Sequence, residues 1–205
     1  MGKNVLVLNG SPRRNGNTAA LVDAFVEGAA QAGHDVVRFD VALMDIAPCR
    51  GCLGGGADAD SPCVQKDDMD AVYAAYRAAD VVVLASPMYC WSVTAQEKAV
   101  LDRLFYAASA RLRFKPAAAV ASARRAGTTP AIDQINKYFQ INCMPVVSSN
   151  YWPMVHGRSV EDVRQDAEGL QIMRVLGTNM AWMLQATSAV PAPNVEQKIM
   201  TSFIR

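Results

Sequence analysis

The stretch Gly10-Ser11-Pro12-Arg13-Arg14-Asn15-Gly16-Asn17-Thr18 places two hydroxyls, two guanidinium groups and turn-forming residues directly before an amphipathic segment that starts at Thr18. A helix start presents unpaired N–H groups and the positive end of the helix dipole, so it can hold a phosphate. Ser11 and Thr18 add hydroxyl donors. Arg13 and Arg14 add charge that can pair with phosphate bidentately. The bland alternative is a solvated turn with Asn17 as the helix cap. The spacing is not that of a dinucleotide fingerprint, because G-x-G-x-x-G is absent. It is not a P-loop either: Gly10 to Gly16 is one residue too long, and Asn17 stands where a lysine is required. The ligand expected here carries one phosphate, held without an obligatory magnesium ion.

Ser86-Pro87-Met88-Tyr89-Cys90-Trp91-Ser92 is a second candidate. A flat heterocycle needs aromatic faces to stack on and backbone amides for its ring atoms. Tyr89 and Trp91 could supply the faces, or could merely cover a sheet end. Ser122-Ala123-Arg124-Arg125-Ala126-Gly127-Thr128 is a third polar loop, which edges a ring or is only a basic surface turn.

The elements around these loops read as alternating strands and helices. Val5–Leu8, Val36–Phe39, Val81–Ala85, Ala117–Ala121 and Pro145–Ser148 are short apolar runs suited to strands. Helical periodicity covers 18–32, 67–79, 94–107, 130–141 and a long last helix, 160–184. Five β-α repeats imply an α/β doubly wound sheet of five parallel strands, order 2-1-3-4-5, with helices on both faces. Its ligand crevice lies at the carboxyl ends of strands 1 and 3. The three polar loops would all meet at that edge.

The 205 residues form one domain, 1–185, with a tail over 186–205 that can pack on a neighbouring subunit. Charged residues are only 19% and apolar residues 51%, which excludes a disordered chain. Lys and Arg number 20 against 19 Asp and Glu, so the net charge of +1 offers no field for nucleic acid or an acidic membrane surface. No apolar run approaches the ~20 residues that span a bilayer, and no signal peptide is read at the start. A cytoplasmic protein is expected.

Gly10-Ser-Pro-Arg-Arg-Asn-Gly-Asn-Thr18, Ser86-Pro-Met-Tyr89 and Gln96-Glu-Lys98 to Leu101-Asp102-Arg103 resemble the NADPH-dependent FMN reductase family, and within it the iron–sulfur flavoprotein branch. The resemblance covers roughly residues 3 to 150. It implies FMN in a flavodoxin-like fold, with its phosphate held by Ser11, Arg13, Asn15, Gly16, Asn17 and Thr18, and its ring lined by Pro87, Met88, Tyr89, Cys90 and Trp91. Ser122, Arg124 and Gly127 complete the expected cofactor site. The implied activity is an FMN-dependent NAD(P)H oxidoreductase, with NADPH or NADH as co-substrate and a quinone, free flavin, nitroaromatic or protein as acceptor. The flavin carries the chemistry, so no dedicated catalytic acid or base is expected. The alternative is an FMN-binding electron carrier that does not use NAD(P)H. A third reading keeps the fold and loses the flavin. Family members commonly close the site with a neighbouring chain, which implies a homodimer or homotetramer with contacts from the Trp152, Met154 and Trp182 regions.

Cys49, Cys52 and Cys63 lie where the iron–sulfur branch has four cysteines; by that likeness the missing one falls at Gly55. Three thiolates do not complete a cubane, so a [4Fe–4S] cluster is not expected. Zinc wants four ligands, and His34 and His156 have no helpful spacing. The expected loop is a cluster remnant with free or occasionally paired thiols. Cys90 reads as a small apolar wall residue and Cys143 as core. Asp67, Asp68 and Asp70 read as a helix start rather than a metal site. Lys98, Asp102 and Arg103 read as a surface or interface network, and Met173, Met180 and Met183 as core or interface.

Overall fold

The computed structural model describes residues 3–52, 63–107, 113–197, 199 and 201–203. Among them are five strands: β1 (Asn4–Asn9), β2 (Asp35–Phe39), β3 (Val81–Pro87), β4 (Ala117–Ala123) and β5 (Met154–His156). The helices are α1 (Asn17–Gln31), α2 (Met69–Ala78), α3 (Ala95–Ala107), α4 (Thr128–Ile141), α5 (Val160–Gln165) and α6 (Ala167–Ser188). All strand pairs are parallel, in the order β2-β1-β3-β4-β5. This is the doubly wound sheet the alternation predicted. Among the described residues no helix is long and apolar enough to cross a membrane.

The side-chain period of two divides the core between the two faces of the sheet. Leu6, Leu8, Val82, Leu84 and Ala119 pack with α2, α3 and α4. Val5, Val7, Val81, Val83 and Val120 pack with α1, α5 and α6. Each large apolar side chain so buried stabilises the fold by roughly 1.5–3 kcal/mol. The chain leaving β1 therefore turns to one face and the chain leaving β3 to the other. The two partings open a crevice between the ends of these strands.

The last strand departs from the expectation. Val146 makes a single bridge to Ala117, and the chain then swings away from the sheet. Polar bonds to α6 hold it there: Ser149 Oγ donates to Ile172 O at 2.7 Å, and Asn179 Nδ2 donates to Ser148 O at 2.9 Å. It returns as β5, where Met154, Val155 and His156 pair with Ala121, Ser122 and Ala123. An edge strand is free to detour because only one side must be paired. The predicted last helix is likewise two. Asp166 breaks it, accepting from Gly169 N through Oδ1 (2.9 Å) and from His156 N through Oδ2 (2.8 Å). A side chain that caps the start of α6 cannot also sit in a helix interior. Met173 and Met180 are core, as expected. Met154 is buried in the core. Cys143 is exposed rather than core; it closes α4 with φ +54°, a conformation that turns its side chain outward. Gly55 and Ile204 lie outside the described residues.

Arg103 also corrects its reading. Its side chain is 1% exposed, and Nη1 pairs with Asp67 Oδ2 at 2.5 Å. Arg103 further donates to Ala47 O and Gln65 O. Asp67 therefore does more than open a helix: it ties α2 to α3. Burial acts to raise the Asp67 carboxyl, but hydrogen bonds from Arg103, Ala47 and Met69 outweigh it and hold it below its ordinary 3.8. Removing one partner of a buried pair strands the other charge. Asp67→Ala is expected to lose about 3 kcal/mol in urea denaturation at pH 7. The pair's contribution is full above pH 3.8 and is lost as pH falls through the depressed value, so the gap between Asp67→Ala and the parent should close in acid.

Candidate functional site

The three polar loops converge where the sequence reading put them. A cleft of about 160 Å³ opens at the carboxyl ends of β1, β3 and β4. Ser11, Arg13, Asn17 and Thr18 line it from the first loop and the start of α1. Pro87, Met88 and Tyr89 line it from the end of β3, and Ser122, Ala123 and Arg124 from the end of β4. Gly157 and Arg158 complete it. Larger hollows exist. One of about 620 Å³ between α3 and α4 is walled by Phe105, Tyr106, Tyr138 and Ile141. It lacks the convergent donors of the small cleft, which sits at the topological switch point where doubly wound sheets bind ligands.

The first loop is built around Asn9, which is fully buried. Its Oδ1 accepts from Ser11 N at 3.2 Å, and its Nδ2 donates to Asp40 Oδ1 at 2.8 Å. Arg13 N then donates to Ser11 Oγ at 3.2 Å, closing the turn. The cap of α1 is Gly16, which brings no side chain to the helix start, and the first turn holds no acidic residue. Asn17, the expected cap, stands one place inside the helix instead, and its Nδ2 donates to Gly157 O at 2.7 Å. The leading N–H groups of α1 thus have no side-chain acceptor, which is the condition an anion site needs. Thr18 Oγ1 and Ser122 Oγ lie 2.8 Å apart, both buried. Two hydroxyl protons serve one contact there, so one O–H is left for a ligand.

The ring side rests on the end of β3. Met88 N donates to Ser122 O at 2.8 Å, fixing the loop to β4. Tyr89 and Ser92 exchange both backbone hydrogen bonds, 2.8 and 2.9 Å, around a two-residue turn. The central residues, Cys90 and Trp91, have φ +48° and +65°. Left-handed backbone costs an L-residue roughly 1–2 kcal/mol. The turn survives because its base is anchored: Ser92 Oγ donates to Gln134 Oε1 of α4 at 2.6 Å. Tyr89 and Trp91 stand exposed, 45% and 64%. Cys90 is exposed too, rather than a wall residue. Gly127 has φ +95°, and a Cβ there would meet Met88 Cγ and Sδ at 2.9 Å. It is a glycine that the site requires, because it lets Met88 lie against the third loop.

Of the expected cofactor residues, Ser11, Arg13, Asn17, Thr18, Pro87, Met88, Tyr89, Ser122 and Arg124 line the cleft. Asn15, Gly16, Cys90, Trp91 and Gly127 flank it. Sequence reasoning missed Gly157 and Arg158. The polar run His156-Gly157-Arg158-Ser159 after an apolar pair was the available signal, but the loop reaches the cleft only through the detour before β5. Among the described residues no group of three or more His, Cys, Asp or Glu is placed to hold a metal ion. Cys49 and Cys52 are exposed and Cys63 half-buried.

Residues 3–159 match the sequence model of the NADPH-dependent FMN reductases. The chain belongs to that family. It is 32% identical over 186 residues to an iron–sulfur flavoprotein of Methanocaldococcus jannaschii, covering 86% of this chain and 95% of that one. It is 35% identical over 147 residues to an iron–sulfur flavoprotein of Methanosarcina thermophila, covering 70% and 76%. Among solved structures its fold is similar to RosB with a bound 8-demethyl-8-formylriboflavin-5'-phosphate (TM-score 0.78, 15% identity, 100% of this chain and 93% of that one). It is similar also to an NAD(P)H:quinone oxidoreductase of Methanothermobacter marburgensis (TM-score 0.69, 19% identity, 88% and 96%).

Family membership makes FMN the implied ligand, and the residues fit it. The helix start without a side-chain cap, the spare hydroxyl of the Thr18–Ser122 pair and Arg13 form a donor set for a phosphate. A four-thiolate cluster fits less well, since the cysteine segment offers three thiols where a cubane takes four.

Two substitutions test the ring side with opposite signs. Trp91→Gly relieves the left-handed strain at little loss of burial and is expected to raise stability by about 0.5–1 kcal/mol in urea denaturation. Gly127→Ala adds strain at φ +95° and displaces Met88, so it is expected to lose about 1–2 kcal/mol in the same measurement and to weaken FMN binding.

Proposed function

We propose that this FMN-dependent oxidoreductase takes hydride from NAD(P)H and passes the electrons to a quinone, a flavin, a nitroaromatic or a protein. The observation that carries the reading is the helix start left without a side-chain acceptor, facing a cleft at the switch point of the sheet. Bound FMN supplies the redox chemistry. Ser11, Arg13 and the amides of α1 would hold its phosphate. Thr18 and Ser122 would donate the hydroxyl proton that their mutual contact leaves over. Pro87, Met88 and Tyr89 would seat the ring. The exposure of Tyr89 and Trp91 leaves room for a nicotinamide and then an acceptor to use the same face in turn, which implies ping-pong kinetics.

Arg124 lines the cleft from the third loop. Its role here is a cation beside the ring that favours the reduced, anionic state. The protein is proposed to work in the cytoplasm as a homodimer or homotetramer. The exposed Tyr151, Trp152 and Trp182 are apolar bodies such contacts would cover.

The first measurement is an absorption spectrum of the purified protein before and after anaerobic NADPH. Flavin bands that bleach with NADPH or NADH are expected. Bands that resist both nucleotides yet vanish with dithionite would replace the reductase by an electron carrier. A protein that stays colourless after soaking in FMN would overturn the cofactor assignment. Arg124→Ala is expected to make the two-electron flavin potential more negative by about 20 mV. An unchanged potential, measured by dye equilibration, would remove Arg124 from its role.

A further inference from the structure

Glu97 is the most deeply buried acid in the described structure, at 0% exposure, and neither of its carboxyl oxygens has a hydrogen-bond partner. It stands three residues after Thr94, the arrangement of a helix capping box. The box is half-made. Thr94 Oγ1 accepts from Glu97 N at 3.2 Å, but Thr94 N donates to Ser86 Oγ at 3.3 Å instead of to the carboxylate. Ser86 Oγ, the neighbouring hydroxyl, gives its own proton to Pro87 O at 3.0 Å. The carboxyl group is left against the backbone of the first loop. A Cβ built on Gly10 would stand 2.3 Å from Glu97 Oε2, so the acid and the loop are in direct contact. Thr94 Oγ1 also donates to Gly10 O at 2.7 Å, which ties the start of α3 to the same loop.

A buried carboxylate without donors is costly, and such a group keeps its proton instead. Burial pushes Glu97 up to about 8. The charged groups on the surrounding elements are engaged elsewhere or exposed. On α3 itself Lys98 pairs with Asp102, and Arg103 with Asp67. Asp40, beyond β2, is held by Asn9 and Arg38. Arg13 and Arg14 of the first loop are exposed. None of these adds to the electrostatics at Glu97, whose polar neighbour is Ser86.

We propose that Glu97 is a positioning residue for the first loop: as a neutral acid it supports Gly10 and the phosphate seat, and on losing its proton to solvent it sets a negative charge beneath that seat and loosens the hold on FMN. The inference rests on the FMN reading above. Its sign follows from linkage. An anionic ligand binds the neutral-acid form better, so binding raises the affinity of Glu97 for its proton. FMN affinity is then full below about pH 8 and falls above it. The phosphate's own second ionisation, near pH 6, is complete before that window.

The test is a titration of FMN-free protein with FMN, followed by flavin fluorescence from pH 6 to 9.5. The wild-type Kd is expected to rise about three- to tenfold between pH 7.5 and 9.5. Glu97→Gln, a neutral isostere, should bind with the low-pH affinity across the whole range. Glu97→Met, of similar volume, should give the same flat profile if Gln is not tolerated. Equal slopes in wild type and variants would overturn the proposal. A flat wild-type profile would overturn it too, while leaving FMN in its cleft. Folded wild-type protein that takes up no FMN at any pH would instead overturn the cofactor reading. A second readout needs no flavin. The melting-temperature advantage of Glu97→Gln over wild type, both FMN-free, should open as pH rises from 4.5 to about 8 and hold level beyond. A gap that does not change with pH would show that Glu97 ionises freely, and the proposal would fail.

Discussion

A parallel sheet covered on both faces must send every connection through a crossover, and right-handed crossovers decide which face each helix takes. Here β1 sends α1 to one face and its neighbour β3 sends α3 to the other. The backbones part at Gly10 and Ser86, leaving a gap that no helix fills. The candidate site lines that gap. The start of α1, the strained turn after β3, the hydroxyl of Ser122 and the buried acid under Gly10 all follow from the same parting.

The supports of the gap are polar, and they divide the work. Asn9 holds the first loop and Asp40 together. Asn17, the first residue of α1, holds the loop after β5. Gln134 anchors the turn of Tyr89 to Ser92. The bonds from Asn9 to Asp40, from Asn17 to Gly157 and from Ser92 to Gln134 join segments far apart in the chain, so the site exists only once the sheet has formed. Strain is tolerated where the anchors are strongest. Cys90 and Trp91 adopt left-handed backbone between two mutual hydrogen bonds, and the rings they frame remain exposed. A rigid turn with an exposed aromatic rim suits a site whose partners come and go.

Charge is handled differently on the two sides of α3. Arg103 and Asp67 are buried as a pair, and the guanidinium also donates from Nη1 to Ala47 O and from Nη2 to Gln65 O. Glu97, six residues earlier on the same helix, is buried alone and stays neutral instead. A pair keeps its charge in a low dielectric; an orphan must keep its proton.

The pattern of apolar runs and periodic helices sufficed to determine the doubly wound sheet, its strand order and the three loops at its carboxyl edge, because side-chain period and crossover handedness leave few alternatives. The same residues were enough to suggest a phosphate at the first loop and a flat ring at the second. Other features were decided by tertiary structure alone. The run at Val146 and Val147 looked like an edge strand, yet bonds to α6 drew it off the sheet and made β5 from Met154 to His156. That detour carries Gly157 and Arg158 into the cleft, which no local spacing could announce. Asn17 reads as a cap, yet Gly16 takes that place and Asn17 gives its amide to Gly157, 140 residues away in sequence. Glu97 reads as half of a capping box until Ser86 takes the N–H it would have accepted. In each case a long-range partner competes with a local one, and that competition is settled only when distant segments meet.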